Sequence, residues 1–158
     1  MEIAVRELPG CRIAYMRYVG PYGPRGIPEL WDRFRQWMAT RGLDVLSTVR
    51  LGIAHDDAGI TDPAKCSYDA CVVVPDDFAA DRWVNLASVP PGRYAVAAFH
   101  GTAHEIESAW ARLFAEWLPD SGYQPDDRPC IEIYRGAPET DAKAGAFRCE
   151  LCLPVRAL

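Results

Sequence analysis

The sequence predicts an α+β fold made of two pseudo-symmetric ββαββ repeats, in which antiparallel sheets carry helices on one face and a groove lies between the repeats. Three observations support this prediction. Two helical patterns share one spacing, the 80-residue offset between them continues into the flanking segments, and each half begins with a Pro-Gly pair. We place the first repeat at about residues 1–75 and the second at about 81–158, within a single domain.

Each half opens with two strand-like segments around a Pro-Gly pair, Pro9-Gly10 in the first half and Pro91-Gly92 in the second. Apolar and polar positions alternate on both sides of each pair, which predicts strands, and proline and glycine are typical turn residues. We therefore expect a β-hairpin at the start of each repeat.

An apolar stripe marks the helix of each half. The stripe residues recur at positions i, i+4, i+7 and i+8, which lie on one face of a helix. They are Leu30, Phe34, Trp37 and Met38 in the first half, and Trp110, Phe114, Trp117 and Leu118 in the second.

Local signals define the ends of both helices. Pro28 suits the first turn of a helix, where its missing N–H group costs nothing. Thr102 and Glu105 form a capping-box pattern at the start of the second helix. Gly42 and Gly122 follow the two stripes and are expected to end the helices.

Two further strands follow each helix. The apolar positions that match at the 80-residue offset are Leu51 and Ile53 with Ile131 and Ile133, and Cys71 and Val73 with Leu151 and Leu153. A lone ββαββ unit leaves one face of its sheet uncovered, so two units are expected to pack together. The concave seam between them is the expected position of a ligand groove.

Composition narrows the function classes. The net charge is −5 and no dense Lys and Arg cluster occurs, which argues against direct binding to nucleic acid. No apolar run approaches the roughly 20 residues of a membrane helix, and the N-terminus has a strand pattern rather than a signal peptide. We expect a cytoplasmic protein, a monomer or weak homodimer, that contacts no membrane.

The six cysteines are expected to be reduced, because five of them lie in apolar strand-like runs where a thiol is a small buried hydrophobe. Cys149 and Cys152 resemble half of a zinc site, but on a strand their side chains point to opposite faces. No phosphate-binding or dinucleotide-binding motif occurs. We therefore expect no metal and no cofactor.

Glu132 is the main candidate for a ligand-binding residue. In the segment around it, Ile131 and Ile133 match Leu51 and Ile53, and we expect these isoleucines to face the helices. Glu132 and Tyr134 then point toward the seam, because successive strand residues alternate between faces.

The corresponding positions of the first half hold Gly52 and Ala54, so a carboxylate faces small residues across the seam. One negative charge in such a space suits a flat or cationic organic ligand. The alternative is an edge strand with Glu132 in water, because carboxylates are rarely buried without a partner.

Aromatic residues add candidates for the walls of the groove. Tyr18 and Phe99 occupy matched strand positions, Tyr22 lies in a turn, Tyr68 opens the fourth strand and Trp110 lies near the start of the second helix. Each of them is also explained by ordinary packing. The other helix tryptophans are expected in the core.

A set of short motifs, in this order and spacing, resembles the GyrI-like family, which includes gyrase-inhibitory proteins and the effector-binding domains of multidrug-responsive transcription regulators. The motifs are Val19-Gly20-Pro21-Tyr22, Tyr68-Asp69, Gly92-Arg93-Tyr94-Ala95-Val96, the second helix followed by Ser121-Gly122-Tyr123, the segment 129–134, and Glu150-Leu151 with Leu153-Pro154-Val155. The resemblance implies a groove at a pseudo-twofold axis and an acidic residue on a central strand that meets lipophilic cations. Glu132 occupies the matching position.

The resemblance leaves three functions open. The first is binding of a lipophilic, drug-like compound, with cations as one class of ligand, for sequestration or sensing. The second is hydrolysis of cyclopropane-bearing, DNA-alkylating natural products, since some relatives use a pocket glutamate for this reaction; Glu132 with Tyr134 or Tyr18 would then be catalytic. The third is a gyrase-inhibitory interaction.

Overall fold

The computed structural model describes residues 1–136 and 145–158. Its strands and helices follow the predicted ββαββ order twice, with one short additional strand, β7, in the second half. The elements are β1 (Ile3–Leu8), β2 (Cys11–Val19), α1 (Gly26–Thr40), β3 (Val49–Ala54), β4 (Ser67–Val74), β5 (Asn85–Val89), β6 (Gly92–Gly101), α2 (Ala103–Arg112), β7 (Tyr123–Pro125), β8 (Cys130–Arg135) and β9 (Phe147–Ala157).

The strands form one antiparallel sheet in the order β1-β6-β9-β8-β3-β4-β2-β5, and β7 pairs with the end of β9. This architecture confirms the α+β fold class. The two halves meet at the pairing of β3 with β8, and the strand order reads equivalently from both ends of the sheet. Descent from a duplicated unit stays a prediction.

The expected β-hairpins at the Pro-Gly pairs are wrong. β1 pairs with β6, and β2 pairs with β5. The first strand of each half therefore pairs with a strand of the other half. The register is continuous, with Leu8 opposite Gly92 and Cys11 opposite Val89. The first residue of a two-residue hairpin turn needs a positive φ, which a proline ring cannot adopt. Pro9 therefore disfavours a hairpin between β1 and β2 and favours pairing with strands of the other half.

Both helices pack on the same face of the sheet. The predicted stripe of α1 is confirmed, because Leu30, Phe34, Trp37 and Met38 are all buried, against β2 and β4. α2 packs on β6 and β9. The signals at the helix ends are also confirmed: Pro28 lies in the first turn of α1, the capping box is formed at Thr102, and Gly42 and Gly122 have φ values of +68° and +79°.

The stripe predicted for the second helix is only partly correct. After Arg112 the helix continues as a π-helical turn, Leu113–Trp117, and then as a 3₁₀ turn, Leu118–Asp120. The wider turn changes which residues face the sheet. Leu113 is therefore fully buried, whereas Phe114 is 40% exposed.

The orientation expected for Ile131 and Ile133 is wrong. They pack with Leu51 and Ile53 in a core on the helix-free face of the sheet. The reason is that period-two alternation separates the two faces of a strand without showing which one carries the helices. Glu132 and Tyr134 consequently lie on the helix face.

The two cysteines with zinc-like spacing lie on opposite faces of β9, as predicted: Cys149 packs in the α2 core and Cys152 in the helix-free core. All six cysteines are free thiols. No helix in the described ranges has the length and hydropathy needed to cross a membrane.

Candidate functional site

Glu132 lies in the middle of β8, directly opposite Gly52 on β3, where the two halves of the sheet meet. The tyrosines that hydrogen-bond its carboxylate come from the sheet, and Trp31 of α1 contacts both of them. Glu132 therefore lies on the helix face of a continuous sheet, next to a residue of α1.

Neutral groups supply the hydrogen bonds to this carboxylate. The Tyr68 hydroxyl donates to Glu132 Oε1 at 2.9 Å, and the Tyr134 hydroxyl donates to the same oxygen at 3.2 Å. The Trp110 side chain, from α2, is a further donor. On the α1 side, Trp31 Nε1 donates to the Tyr68 hydroxyl at 3.2 Å, and the Trp31 ring meets the Tyr134 ring edge to face at 5.7 Å.

Burial raises the pKa of the Glu132 carboxyl above its ordinary value, and the three hydrogen bonds lower it by less than burial raises it. Burial also raises the pKa of Tyr68 and Tyr134 well above the ordinary value, and the adjacent carboxylate adds to this effect. Tyr68 is 4% exposed, whereas Glu132, Tyr134 and Trp110 each retain partial exposure. The carboxylate thus lies among aromatic side chains and keeps partial contact with solvent.

Gly52 is required by this arrangement. A Cβ atom at this position would collide with the Tyr68 hydroxyl and would lie 2.6 Å from Glu132 Oε1. The small residue that the sequence places opposite the carboxylate therefore provides the space in which the tyrosine and the glutamate meet.

The other aromatic candidates lie at different distances from Glu132. Tyr22 is next to Tyr68, with ring centroids 6.4 Å apart, and its hydroxyl donates to the Ser67 carbonyl. The Tyr18 hydroxyl donates to the Pro21 carbonyl at 3.0 Å. Phe99 contacts Phe147 at 5.6 Å, and the Phe147 ring in turn lies 6.0 Å from the ring of Tyr134. Tyr134, Tyr68 and Trp110 therefore form the inner set. Tyr22 contacts Tyr68, Phe99 reaches Tyr134 only through Phe147, and the Tyr18 hydroxyl bonds Pro21 instead of this set.

Sequence reasoning missed two members of this region. Trp31 was expected in the core, yet it links α1 to both tyrosines. Arg50 lies opposite Tyr134, with its Cζ atom 5.6 Å from the centroid of the tyrosine ring. Arg50 lies on the helix face of the sheet, and Trp31 lies on α1 above it. The residues matched to them at the 80-residue offset do not point to either position.

A second buried carboxylate lies on the other face of the sheet. Arg17 holds Asp69 with two hydrogen bonds, of 2.8 Å from Nε and 3.0 Å from Nη2, and His55 Nε2 lies 2.6 Å from Asp69 Oδ2. Burial alone would raise the pKa of Asp69, but the bonds from His55 and Arg17 outweigh it and hold the pKa below its ordinary value. No spacing pattern in the sequence connects these three residues.

In the described part of the chain, no three His, Cys, Asp or Glu side chains come together in an arrangement that could hold a metal ion. The chemistry available around Glu132 is therefore that of a carboxylate, hydroxyl groups, indole N–H groups and aromatic faces.

Comparison with known proteins gives matches over nearly the whole chain. The sequence profile of the GyrI-like small molecule binding domain matches residues 1–156. The chain is 33% identical over 156 residues to YosT of Bacillus subtilis strain 168, a proposed prophage-derived transcriptional regulator, with 99% of this chain and 100% of YosT covered. It is 25% identical over 158 residues to a protein of Erwinia billingiae named DNA gyrase inhibitor, with 98% and 97% covered.

Solved structures share the fold. EcmrR in a complex with DNA matches with a TM-score of 0.78 and 18% identity; the match covers 99% of this chain and 58% of the EcmrR chain. SAV2435 bound to tetraphenylphosphonium matches with a TM-score of 0.60 and 18% identity, covering 99% of this chain and 94% of SAV2435. At these identities the structural matches establish the architecture only.

Proposed function

This chain belongs to the GyrI-like family of small-molecule-binding domains, and we propose that it binds lipophilic, cationic, drug-like compounds at the partly exposed Glu132 carboxylate, on the helix face of the sheet. Glu132 supplies the opposing charge. The rings of Tyr134, Tyr68 and Trp110 supply apolar and cation–π contact. Such binding would serve sequestration or sensing of the compound.

One observation carries the proposal: Glu132 is a largely buried carboxylate whose described hydrogen-bond partners are all neutral. An ionised carboxylate in such surroundings is costly unless a positive charge compensates it. The partial exposure of Glu132 leaves a route by which an external cation can supply that charge. Aromatic faces around the carboxylate favour a delocalised or quaternary cation over a metal ion.

Tetraphenylphosphonium is a suitable probe because it is an apolar cation surrounded by rings. We expect saturating tetraphenylphosphonium to stabilise the protein in a thermal-shift assay, by about 2.7 kcal/mol at a concentration 100 times the Kd. Isothermal titration calorimetry should show that Glu132→Gln, which keeps the shape and removes the charge, weakens binding by about tenfold or more.

Glu107→Gln is the matched control, because Glu107 is exposed on α2, away from β8. This variant should bind tetraphenylphosphonium as the wild type does. Equal affinity of the wild type and Glu132→Gln would remove Glu132 from the proposal, and a lack of stabilisation by any lipophilic cation would remove the function.

A second candidate, an enzyme, is supported by the tyrosine hydroxyls at 2.9 and 3.2 Å from a carboxylate of raised pKa. In this hypothesis Glu132 accepts a proton from water as the water attacks an electrophilic carbon, such as that of a strained cyclopropane, and Tyr134 donates a hydrogen bond to the leaving group. Tyr18 is less suited, because its hydroxyl donates to Pro21.

Mass spectrometry separates binding from turnover. The enzyme hypothesis requires that wild-type protein converts a cyclopropane-bearing alkylating compound into its water adduct, and that Glu132→Gln does not. A compound that binds and is recovered unchanged after long incubation would leave only the binding function.

A further inference from the structure

Arg50 is a buried cation that the proposed function does not use. It lies on β3, two residues before Gly52, and so it projects from the same face of the sheet as Glu132. The residue is 9% exposed. Its single described side-chain hydrogen bond, from Nη2 to the Gly136 carbonyl, is 3.5 Å long, at the outer limit of such a bond.

No carboxylate within the ranges 1–136 and 145–158 forms an ion pair with the Arg50 guanidinium. A second guanidinium, that of Arg35 on α1, is near enough to repel it, and Arg35 Nε is itself buried without a hydrogen-bond partner in this part of the chain. Burial and this repulsion lower the pKa of Arg50, whereas Tyr134 and Asp44 act in the opposite direction. No Arg50 nitrogen is among the fully buried side-chain atoms that lack a partner in the described residues, so its remaining donors keep contact with solvent, where an anion can reach them and offset the desolvation of the guanidinium.

A surface cavity opens beside Arg50. Its volume is about 590 Å³, and it is lined by Arg50, by the apolar side chains of Met38, Val45 and Leu46, and by the polar residues Ser47 and Asp44. Leu46 is 75% exposed at its edge. The lining therefore combines one buried cation with an apolar wall that is open to solvent.

We propose that this cavity is an anion-binding site, in which Arg50 holds the carboxylate of a small aromatic or aliphatic acid and the Met38, Val45 and Leu46 side chains contact its apolar body. The planar guanidinium can donate two parallel hydrogen bonds to a carboxylate. Asp44, on the rim, disfavours ligands with more than one negative charge. Arg50 contacts the ring of Tyr134, which hydrogen-bonds Glu132. The anion site does not depend on the function proposed at Glu132.

The test compares 2-naphthoate with the neutral 2-naphthamide, which has the same ring system, by isothermal titration calorimetry. We expect wild-type protein to bind 2-naphthoate about tenfold more tightly than 2-naphthamide. Arg50→Gln should abolish this preference. Arg33→Gln, which removes an exposed arginine on α1, should retain it.

Arg50→Lys keeps the positive charge but removes the paired donors, and it should retain only a small part of the preference. This variant decides the question if Arg50→Gln does not fold. Equal affinity of wild-type protein for the two probes would overturn the proposal, as would an undiminished preference in both Arg50 variants.

Tetraphenylphosphonium titrations of the same proteins distinguish this proposal from the previous one. If the anion preference is lost in Arg50→Gln while tetraphenylphosphonium still binds, the two sites are separate and both stand. If 2-naphthoate binds through Arg50 and tetraphenylphosphonium does not bind the wild type, the anion site stands and the cation site fails.

Discussion

Glu132 and Asp69 are two carboxylates on opposite faces of one sheet, separated only by β3. Asp69, on the helix-free face, has two partners from its own chain, the cationic Arg17 and the imidazole of His55. Glu132, on the helix face, is surrounded by tyrosine and tryptophan. Asp69 is thus paired with a cation of its own chain, whereas the described hydrogen-bond partners of Glu132 are all neutral.

The difference teaches where to look for function in such a fold. Asp69 is 3% exposed and Glu132 keeps partial exposure, so both carboxylates lie largely away from solvent and low exposure alone does not identify a ligand site. The sign of the pKa change does separate them: the pKa of Asp69 is lowered by its ion partners, and that of Glu132 is raised by desolvation. A carboxylate whose pKa is raised and which reaches solvent is the better candidate for meeting an external cation.

The largest effect on this comparison should come from Asp69→Asn. The change removes the charge that Arg17 and His55 share, and we expect the free energy of unfolding to fall by about 3 kcal/mol, the lower end for a broken buried pair because Arg17 remains half exposed. Urea denaturation monitored by tryptophan fluorescence measures it. Asp32→Asn, at an exposed position of α1, should change stability by less than about 0.5 kcal/mol.

Gly52→Ala should have the next largest effect, and it acts on the Glu132 side alone. The added methyl group displaces Tyr68 and the carboxylate, so we expect a loss of about 2 kcal/mol of stability together with weaker tetraphenylphosphonium binding. Isothermal titration calorimetry measures the weaker binding, and urea denaturation measures the loss of stability. Gly59→Ala is the control, because its nearest neighbour is the Asp57 side chain in an exposed loop, at 3.2 Å; a site that tolerates Gly52→Ala would contradict the described packing.

Tyr68→Phe tests whether the neutral donors matter to Glu132. The variant loses a hydrogen bond to the carboxylate and leaves the Trp31 N–H group without its acceptor, so stability should fall by about 1 kcal/mol. The same unfolding measurement on Tyr18→Phe should show a smaller change, since that hydroxyl bonds an exposed carbonyl. Equal losses in the two variants would mean that the carboxylate gains nothing from Tyr68.

The smallest effect, and the sharpest contrast, lies in the pH dependence. Because folding raises the pKa of Glu132, its ionisation costs stability as the pH rises above its ordinary value of 4.5, so Glu132→Gln should become more stable relative to the wild type above that pH. Folding lowers the pKa of Asp69, so its contribution is present above its ordinary value of 3.8 and is lost as the pH falls below it, and the cost of Asp69→Asn should shrink in acid. The difference in unfolding free energy between the wild type and each variant, measured from below 3.8 to above 4.5, should therefore change with pH in opposite directions; changes in the same direction would end the distinction between the two carboxylates.

Much of the architecture follows from the sequence. The spacing of Leu30, Phe34, Trp37 and Met38 predicts the buried face of α1, and the pairing of Glu132 with Gly52 across the two halves follows from the offset of the repeat. These features depend on local periodicity and on matched positions, which a single sequence displays directly.

The features that escaped prediction depend on partners far apart in the chain. The exchange of β1 and β5 cannot be read from either strand alone, because each has a suitable neighbour in its own half. The side of the sheet that carries the helices is equally hidden, because the sheet has an apolar core on each face and strand alternation does not show which one the helices cover. Arg50 and Trp31 entered the site region only once the register of β3 and the position of α1 were known.

The pairing of β1 with β6 also affects how the chain reaches its native state. During synthesis β1 is made before β6, which emerges only after the whole first half, so β1 remains unpaired until then. Native structure therefore depends on contacts of long sequence separation, which slows folding. Neither half, expressed by itself, would hold a complete set of strands, whereas the two expressed together as separate polypeptides could exchange them and assemble.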